Sequence, residues 1–220
     1  MTRNSKLLEK PGNMGKIRML CLGDSYTIGE GVAECDRWPE LVCDTLREKL
    51  SDVEPPTIVA KTGWTSDELL GAIESRSLLG EWNIVALMIG VNDQYRGRSV
   101  EEFQITFEKL VEVTLSLSGN NADRILVISI PDWSVTPFAE GRDRVRISAE
   151  IDRFNRVLGD SCRTGRITFL DVTDLSRLAV SNCEEWIAED KLHPSPRMHQ
   201  AWTERIAPAI QKILSSQHDK

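Results

Sequence analysis

Short runs of consecutive apolar residues alternate along this chain with longer stretches in which apolar residues recur every three or four positions. The runs lie at 17–22, 57–60, 84–89, 124–130 and 167–170. Two of them, IVALMI at 84–89 and ILVISI at 125–130, are nearly continuous, as strands covered on both faces should be. Helical periods fill the intervals at 39–50, 66–78, 100–117 and 147–162. In the third of these, Phe103, Phe107, Leu110, Val111 and Thr114 line one helical face. A final helix is expected over 196–214, with Ser195 as N-cap, Pro196 in the first turn and Met198, Trp202, Ile206 and Ile210 as its buried stripe. Pro208 should kink it. Strand-then-helix units in this rhythm predict a three-layer α/β/α fold with a five-stranded, flavodoxin-like parallel sheet.

Composition narrows the picture. The 220 residues suit one domain over 15–215, with 1–14 read as a poorly ordered leader and 216–220 as a tail. Hydrophobic residues make up 40% and charged residues 28%, enough for a sizeable core. The net charge of −7 argues against nucleic acid as a partner and against an anionic membrane surface. No apolar stretch approaches the ~18 residues of a membrane helix. The five cysteines, Cys21, Cys35, Cys43, Cys162 and Cys183, are odd in number and include no CxxC pair, which fits a reducing compartment and argues against a zinc site. A cytoplasmic location is the expectation.

In an open parallel sheet, ligands sit beyond the carboxyl ends of the strands, so each polar motif can be tested by its place. After the first run comes GDSYTIGEG, with Ser25. On its own, Ser25 could cap a helix, belong to a hydroxyl-rich phosphate turn with Thr27 and Gly29, or act as a nucleophile. The Walker lysine and the GxGxxG pattern are both missing. After the second run, Gly63 is a turn glycine or a backbone donor that a ligand can approach, and Ser66 is the expected N-cap of the next helix. After the third run, Gly90, Asn92 and Asp93 are ordinary turn residues, or Asn92 is a neutral donor to an oxyanion. Ahead of the last helix, Asp190 and His193 are three apart. Pro194 keeps His193 out of the α region, so the pair lies on a loop where the carboxylate can hold the imidazole. Of the other histidines, His199 falls in the last helix and His218 near the end.

The four blocks Gly23-Asp24-Ser25-Tyr26, Gly63, Gly90-Val91-Asn92-Asp93 and Asp190-Lys191-Leu192-His193 occur in this order over about residues 17–200. Together they resemble the SGNH (GDSL-type) hydrolase and esterase family. The resemblance implies Ser25 as nucleophile, Asp190 and His193 as the rest of a catalytic triad, and Ser25, Gly63 and Asn92 as the oxyanion hole. It implies a serine esterase acting on a small-molecule acyl ester with no metal or other cofactor. Tyr26 departs from the leucine of the short family name. The absence of a GxSxG elbow argues against the α/β-hydrolase fold.

Trp64, Tyr95, Trp133 and Phe138 are the candidate substrate-binding residues, while Trp82 and Trp202 are expected in the core. Arg142, Arg144 and Arg146 alternate along EGRDRVR, as a solvated loop and helix start or, as the less favoured reading, a site for an acidic substrate group. No long apolar lid is visible, so short acyl esters are expected over long-chain lipids. The alternatives are an acyltransferase, lysophospholipase or thioesterase using the same residues, a catalytically silent domain of this type, and a flavodoxin-like FMN-binding module.

Overall fold

A computed structural model describes residues 16–76, 78 and 81–217. The expected leader at 1–14 and residues 218–220 of the tail lie outside the described residues; Ser216 still belongs to the last helix.

Five parallel strands form one sheet in the order β2-β1-β3-β4-β5. They are β1 (Met19–Gly23), β2 (Thr57–Ala60), β3 (Ile84–Met88), β4 (Ile125–Ile128) and β5 (Thr168–Leu170). The helices are α1 (Ser25–Ile28), α2 (Trp38–Arg47), α3 (Ser66–Glu74), α4 (Val91–Tyr95), α5 (Val100–Leu117), α6 (Arg144–Gly165), α7 (Thr173–Ser176), α8 (Cys183–Trp186) and α9 (Pro196–Ser216). Right-handed crossovers place α2, on the β1-to-β2 connection, on one face and α3, α5 and α6 on the other. Packing agrees: α2 lies against α9, and α5 lies between α3 and α6. This is the three-layer α/β/α fold with the flavodoxin strand order. Every residue of β1, β3 and β4 is buried, because both faces of these central strands are covered.

The element boundaries differ from the hydrophobic pattern where polar groups decide them. Ile17 makes only an isolated bridge to Val53, and β1 starts at Met19 and reaches Gly23, which pairs with Ala60 and Met88. Arg124 belongs to a short 3-10 turn ahead of β4, and α2 ends at Arg47, not at residue 50. The α3 helix stops at Glu74, short of the expected 78, and its N-cap is Thr65, not Ser66. Thr65 N–H donates to Glu68 Oε2 at 2.9 Å, which leaves Ser66 free for another partner. The α6 helix begins three residues early because Asp143 Oδ1 accepts from Arg146 N–H at 3.0 Å. The α9 helix runs on through Pro208.

The α2–α9 contact closes the molecule. Trp38, Val42, Cys43 and Leu46 of α2 and Met198, Trp202, Ile206 and Ile210 of α9 are all buried, as is Trp82. The first amide of α2, Trp38 N–H, donates to Nδ1 of His199 at 3.2 Å. A helix N-terminus has four amides without intrahelical acceptors, and His199 serves one of them. Burial, reinforced by His193, lowers the His199 pKa to about 3, so this ring is a neutral acceptor.

Candidate functional site

The connection after β1 is one tight helical turn, and its cap is Asp24. Asp24 Oδ1 accepts from Tyr26 N–H at 3.0 Å. Asp24 therefore does the capping that Ser25 alone might have done, and Ser25 stands as the first residue of α1. No described residue holds the Ser25 hydroxyl by a hydrogen bond. Instead it opens on a cavity of about 160 Å³ lined by Ser25, Tyr26, Thr62, Gly63, Val91, Asn92, Tyr95, Trp133, Phe138, Leu192 and His193. The cavity lies beyond the carboxyl ends of β1 and β3, where the strand order reverses.

His193 reaches this cavity from the loop before α9. Its Nδ1 lies 2.5 Å from Asp190 Oδ2, while Asp190 Oδ1 accepts the backbone N–H groups of Leu192 and His193, each at 2.9 Å. Partial burial alone would raise the Asp190 pKa. The hydrogen bonds from the His193 ring and from the two amides outweigh it and hold the carboxyl below its usual value. The ionised carboxylate fixes Nδ1–H as the donor and turns Nε2 away from it. The loop is tied at its base by Ala188 N–H to His193 O at 2.8 Å and by Lys191 N–H to Ala188 O at 3.0 Å. Gly31 passes so close that a Cβ there would lie 3.1 Å from Ala188 Cβ and 3.5 Å from Asp190 Oδ2; its φ of +83° also requires glycine.

Opposite, two segments are clasped together. Asn92 Nδ2 donates to Trp64 O at 2.9 Å, and Asp93 accepts from Ser66 N–H and Ser66 Oγ at 2.9 and 2.7 Å. Arg96 Nη2 donates to Gly63 O at 2.6 Å, and Arg98 pairs with Asp67 at 2.6 Å. Residues 92–98 thus grip residues 63–67 at four successive places. Asp93 is fully buried. That burial raises its pKa despite the Ser66 bonds and nearby Arg98, so the clasp holds a costly group in place. Gly63 takes φ +82°, a left-handed turn that glycine adopts without strain. Among the described residues, neither the second hydrogen of the Asn92 amide nor the Gly63 N–H has a hydrogen-bond partner.

The third wall is aromatic. Tyr95, Trp133 and Phe138 meet one another with centroids 5.6, 5.9 and 6.1 Å apart. Trp133 Nε1 donates to Gln94 Oε1 at 2.8 Å, and Gln94 Nε2 donates to Glu150 at 2.9 Å, which fixes the indole. Phe138 N–H donates to Lys191 O at 3.0 Å, joining this wall to the loop of Asp190 and His193. Of the expected substrate-binding residues, Trp64 is misplaced: it packs half-buried against the core, outside the cavity lining, and contributes its carbonyl to Asn92. Aromatic character alone did not tell a pocket wall from a core filler.

The sequence model of the GDSL-like Lipase/Acylhydrolase family matches residues 21–201. The chain belongs to that family. The match spans all four sequence blocks and most of the fold, and it supports a hydrolytic enzyme for this GDSL-family chain. Solved structures share the fold. The psychrotrophic esterase EstA from Pseudoalteromonas sp., in a form inhibited by monoethylphosphonate, superposes with TM-score 0.69 at 18% identity, covering 90% of this chain and 98% of that one. A lipase/acylhydrolase from Enterococcus faecalis gives 0.69 at 18% identity, covering 91% and 96%. The acetyl xylan esterase AlAXEase gives 0.69 at 16% identity, covering 88% and 99%. No curated protein matches this sequence.

Sequence reading of this GDSL-family site assigned no individual role to Tyr26, Gln94, Arg96 or Arg98. Tyr26 lines the cavity and meets the His193 ring edge-on at a centroid distance of 5.8 Å. The signal available for the arginines was their position, one turn beyond Asn92 and Asp93 at the end of a short helix. No described helix is long and apolar enough to cross a membrane.

Proposed function

We propose that this protein is a serine esterase that hydrolyses short-chain carboxylic esters through an acyl-enzyme on Ser25. One observation carries the reading: the Ser25 hydroxyl and a histidine already oriented by an ionised aspartate face the same small cavity. His193 Nε2 takes the proton as Ser25 Oγ forms a bond to the substrate carbonyl carbon. The resulting oxyanion is received by the N–H groups of Ser25 and Gly63 and the amide of Asn92, each such donor typically worth about 3 kcal/mol of barrier. Collapse breaks the bond to the alcohol, which leaves with the proton from His193. Water then attacks the acyl-enzyme, gives its proton to His193, and the acid departs as that proton returns to Ser25.

The cavity favours small acyl groups. A volume of about 160 Å³ beside the rings of Tyr95, Trp133 and Phe138 suits a short acyl chain. The chemistry needs no metal or organic cofactor.

Covalent labelling with a fluorophosphonate, mapped by mass spectrometry, tests the nucleophile. The expected adduct is on Ser25, and Ser25→Ala should lose both labelling and hydrolysis of 4-nitrophenyl acetate while keeping its circular dichroism. Wild-type turnover in that variant would sink the assignment. Among 4-nitrophenyl esters from acetyl to palmitoyl, activity should peak at short chains; a maximum at palmitoyl would overturn the size argument.

A further inference from the structure

The three alternating arginines of EGRDRVR separate in the folded chain. Arg146 is neutralised by Glu150, its Nε lying 2.8 Å from Oε1. Arg144 is committed to the backbone, donating to Ser134 O and Thr136 O at 3.0 Å each, and so holds the loop that carries Trp133 and Phe138. Arg142 stacks on the rings of the cavity wall without itself lining the cavity. Its guanidinium carbon lies 5.3, 5.6 and 5.1 Å from the ring centroids of Tyr95, Trp133 and Phe138, and Nη2 reaches Tyr95 Oη at 3.4 Å.

Stacking on rings positions a guanidinium without cancelling its charge. Among the described residues no carboxylate lies within ion-pairing distance of Arg142. The neighbouring Asp143 is turned away to cap α6. Other arginines around the cavity are spoken for: Arg96 pairs with Glu68 at 3.3 Å, and Arg98 with Asp67 and Asp93. Tyr95 and Phe138, two of the rings it covers, are 46% and 37% exposed, and Arg142 is itself exposed beside them. Arg142 is thus an uncompensated cation held beside the apolar wall by ring stacking. Ordering the side chain in advance removes part of the entropy cost of binding an anion there, and a guanidinium matches a carboxylate or phosphate fork.

We infer that Arg142 reads an anionic group on the substrate, so that the preferred esters carry a small carboxylate or phosphate beyond the apolar portion held by Tyr95, Trp133 and Phe138. This inference rests on the esterase reading above.

Two matched pairs of esters test it and tell on which side of the scissile bond the anion lies. 4-Nitrophenyl hemisuccinate against 4-nitrophenyl butyrate varies the acyl side. 4-Acetoxybenzoate against its methyl ester varies the alcohol side. In one pair, Arg142→Ala should lower the anionic-to-neutral ratio of kcat/KM by about tenfold, chiefly through KM, the size expected for a hydrogen bond to a charged group. Arg142→Lys should recover part of the ratio, and Arg142→Glu should depress it further. Raising the salt concentration should erode the wild-type ratio. An unchanged ratio in both pairs overturns the inference, as does an equal loss on neutral and anionic esters, which would make Arg142 a stiffener of the wall. If the wild-type protein hydrolyses none of the four esters, and 4-nitrophenyl acetate is inert too, it is the esterase reading that fails.

Discussion

The two sides of the cavity are built on different principles. On one side, residues 92–98 grip residues 63–67 through hydrogen bonds and ion pairs that run from the buried Asp93 at the centre to exposed Arg96 and part-exposed Arg98 at the rim, with both segments continuing directly into helices. On the other, Trp133 and Phe138, on a loop of short turns held by Arg144 and a few backbone bonds, pack against the ring of Tyr95 from α4 to form a partly exposed aromatic wall. Developing charge must be met by donors that do not move, because reorganising them during the reaction costs the energy they are meant to supply. An acyl group needs only a fitting surface, and contacts of ring and methylene tolerate adjustment. On the proposed function, chemistry falls to the clasp and selectivity to the wall.

Mutations should break this division asymmetrically. Asn92→Ala removes a proposed oxyanion donor and should reduce kcat on 4-nitrophenyl acetate by about 10²–10³ with little change in KM. Arg96→Ala leaves every proposed reacting group in place but frees the Gly63 carbonyl, so kcat should drop by about tenfold, with partial recovery in Arg96→Lys. A change in KM alone would mean that Gly63 does not depend on Arg96. On the wall, Phe138→Ala should shift the preferred acyl length upward while altering acetyl-ester kcat/KM by less than about tenfold. A loss as large as that of Asn92→Ala would erase the distinction between the sides.

Asp24 and Lys191 supply smaller, conformational effects. Burial, aided by Asp93 and opposed by the Tyr26 amide, raises the Asp24 pKa to about 7. A carboxyl whose folded pKa is raised is a proton the unfolded chain gives up first. Stability linked to it is present below the ordinary value near 4 and is lost as pH rises toward 7. Asp24→Asn keeps the cap and removes that loss, so the gain in Tm over wild type should be greater at about pH 8 than at about pH 5. An equal gain at both would show that Asp24 is not the titrating group. Lys191, between Asp190 and Leu192, takes φ +66°. Lys191→Gly relieves that strain and should stabilise by up to about 1 kcal/mol in urea unfolding, leaving the hydrolytic rate near wild type.

The sheet was legible because its central strands are nearly pure apolar runs and the helices between them keep a helical period. The two short helices that carry Ser25 and Asn92 were not, since four or five residues are too few to show any period. Residue types in chain order brought Ser25, Gly63, Asn92, Asp190 and His193 into view, and folding collects Ser25, Gly63, Asn92 and His193 at one cavity. The choice between Ser25 as cap and Ser25 with a free hydroxyl needed the Asp24 contact. Trp64 was misjudged because a tryptophan beside a site glycine looks the same in sequence whether its ring or its carbonyl faces the site. Arg96 was hidden for a related reason, since its partner is a backbone carbonyl that leaves no mark beside the arginine; Arg142 was in view within EGRDRVR, but the three rings that set it apart from Arg144 and Arg146 were not.

The bond from Trp38 to His199 bears on the order in which the protein becomes complete. A chain emerging from the ribosome delivers Ser25, Gly63 and Asn92 long before Asp190 and His193. Until α9 arrives, the buried face of α2 has no cover and the Trp38 amide no acceptor. The stretch that carries the proposed base also carries the helix that seals the core. A nascent or C-terminally truncated chain thus lacks its core seal and its proposed base together, and both arrive in the step that closes the fold.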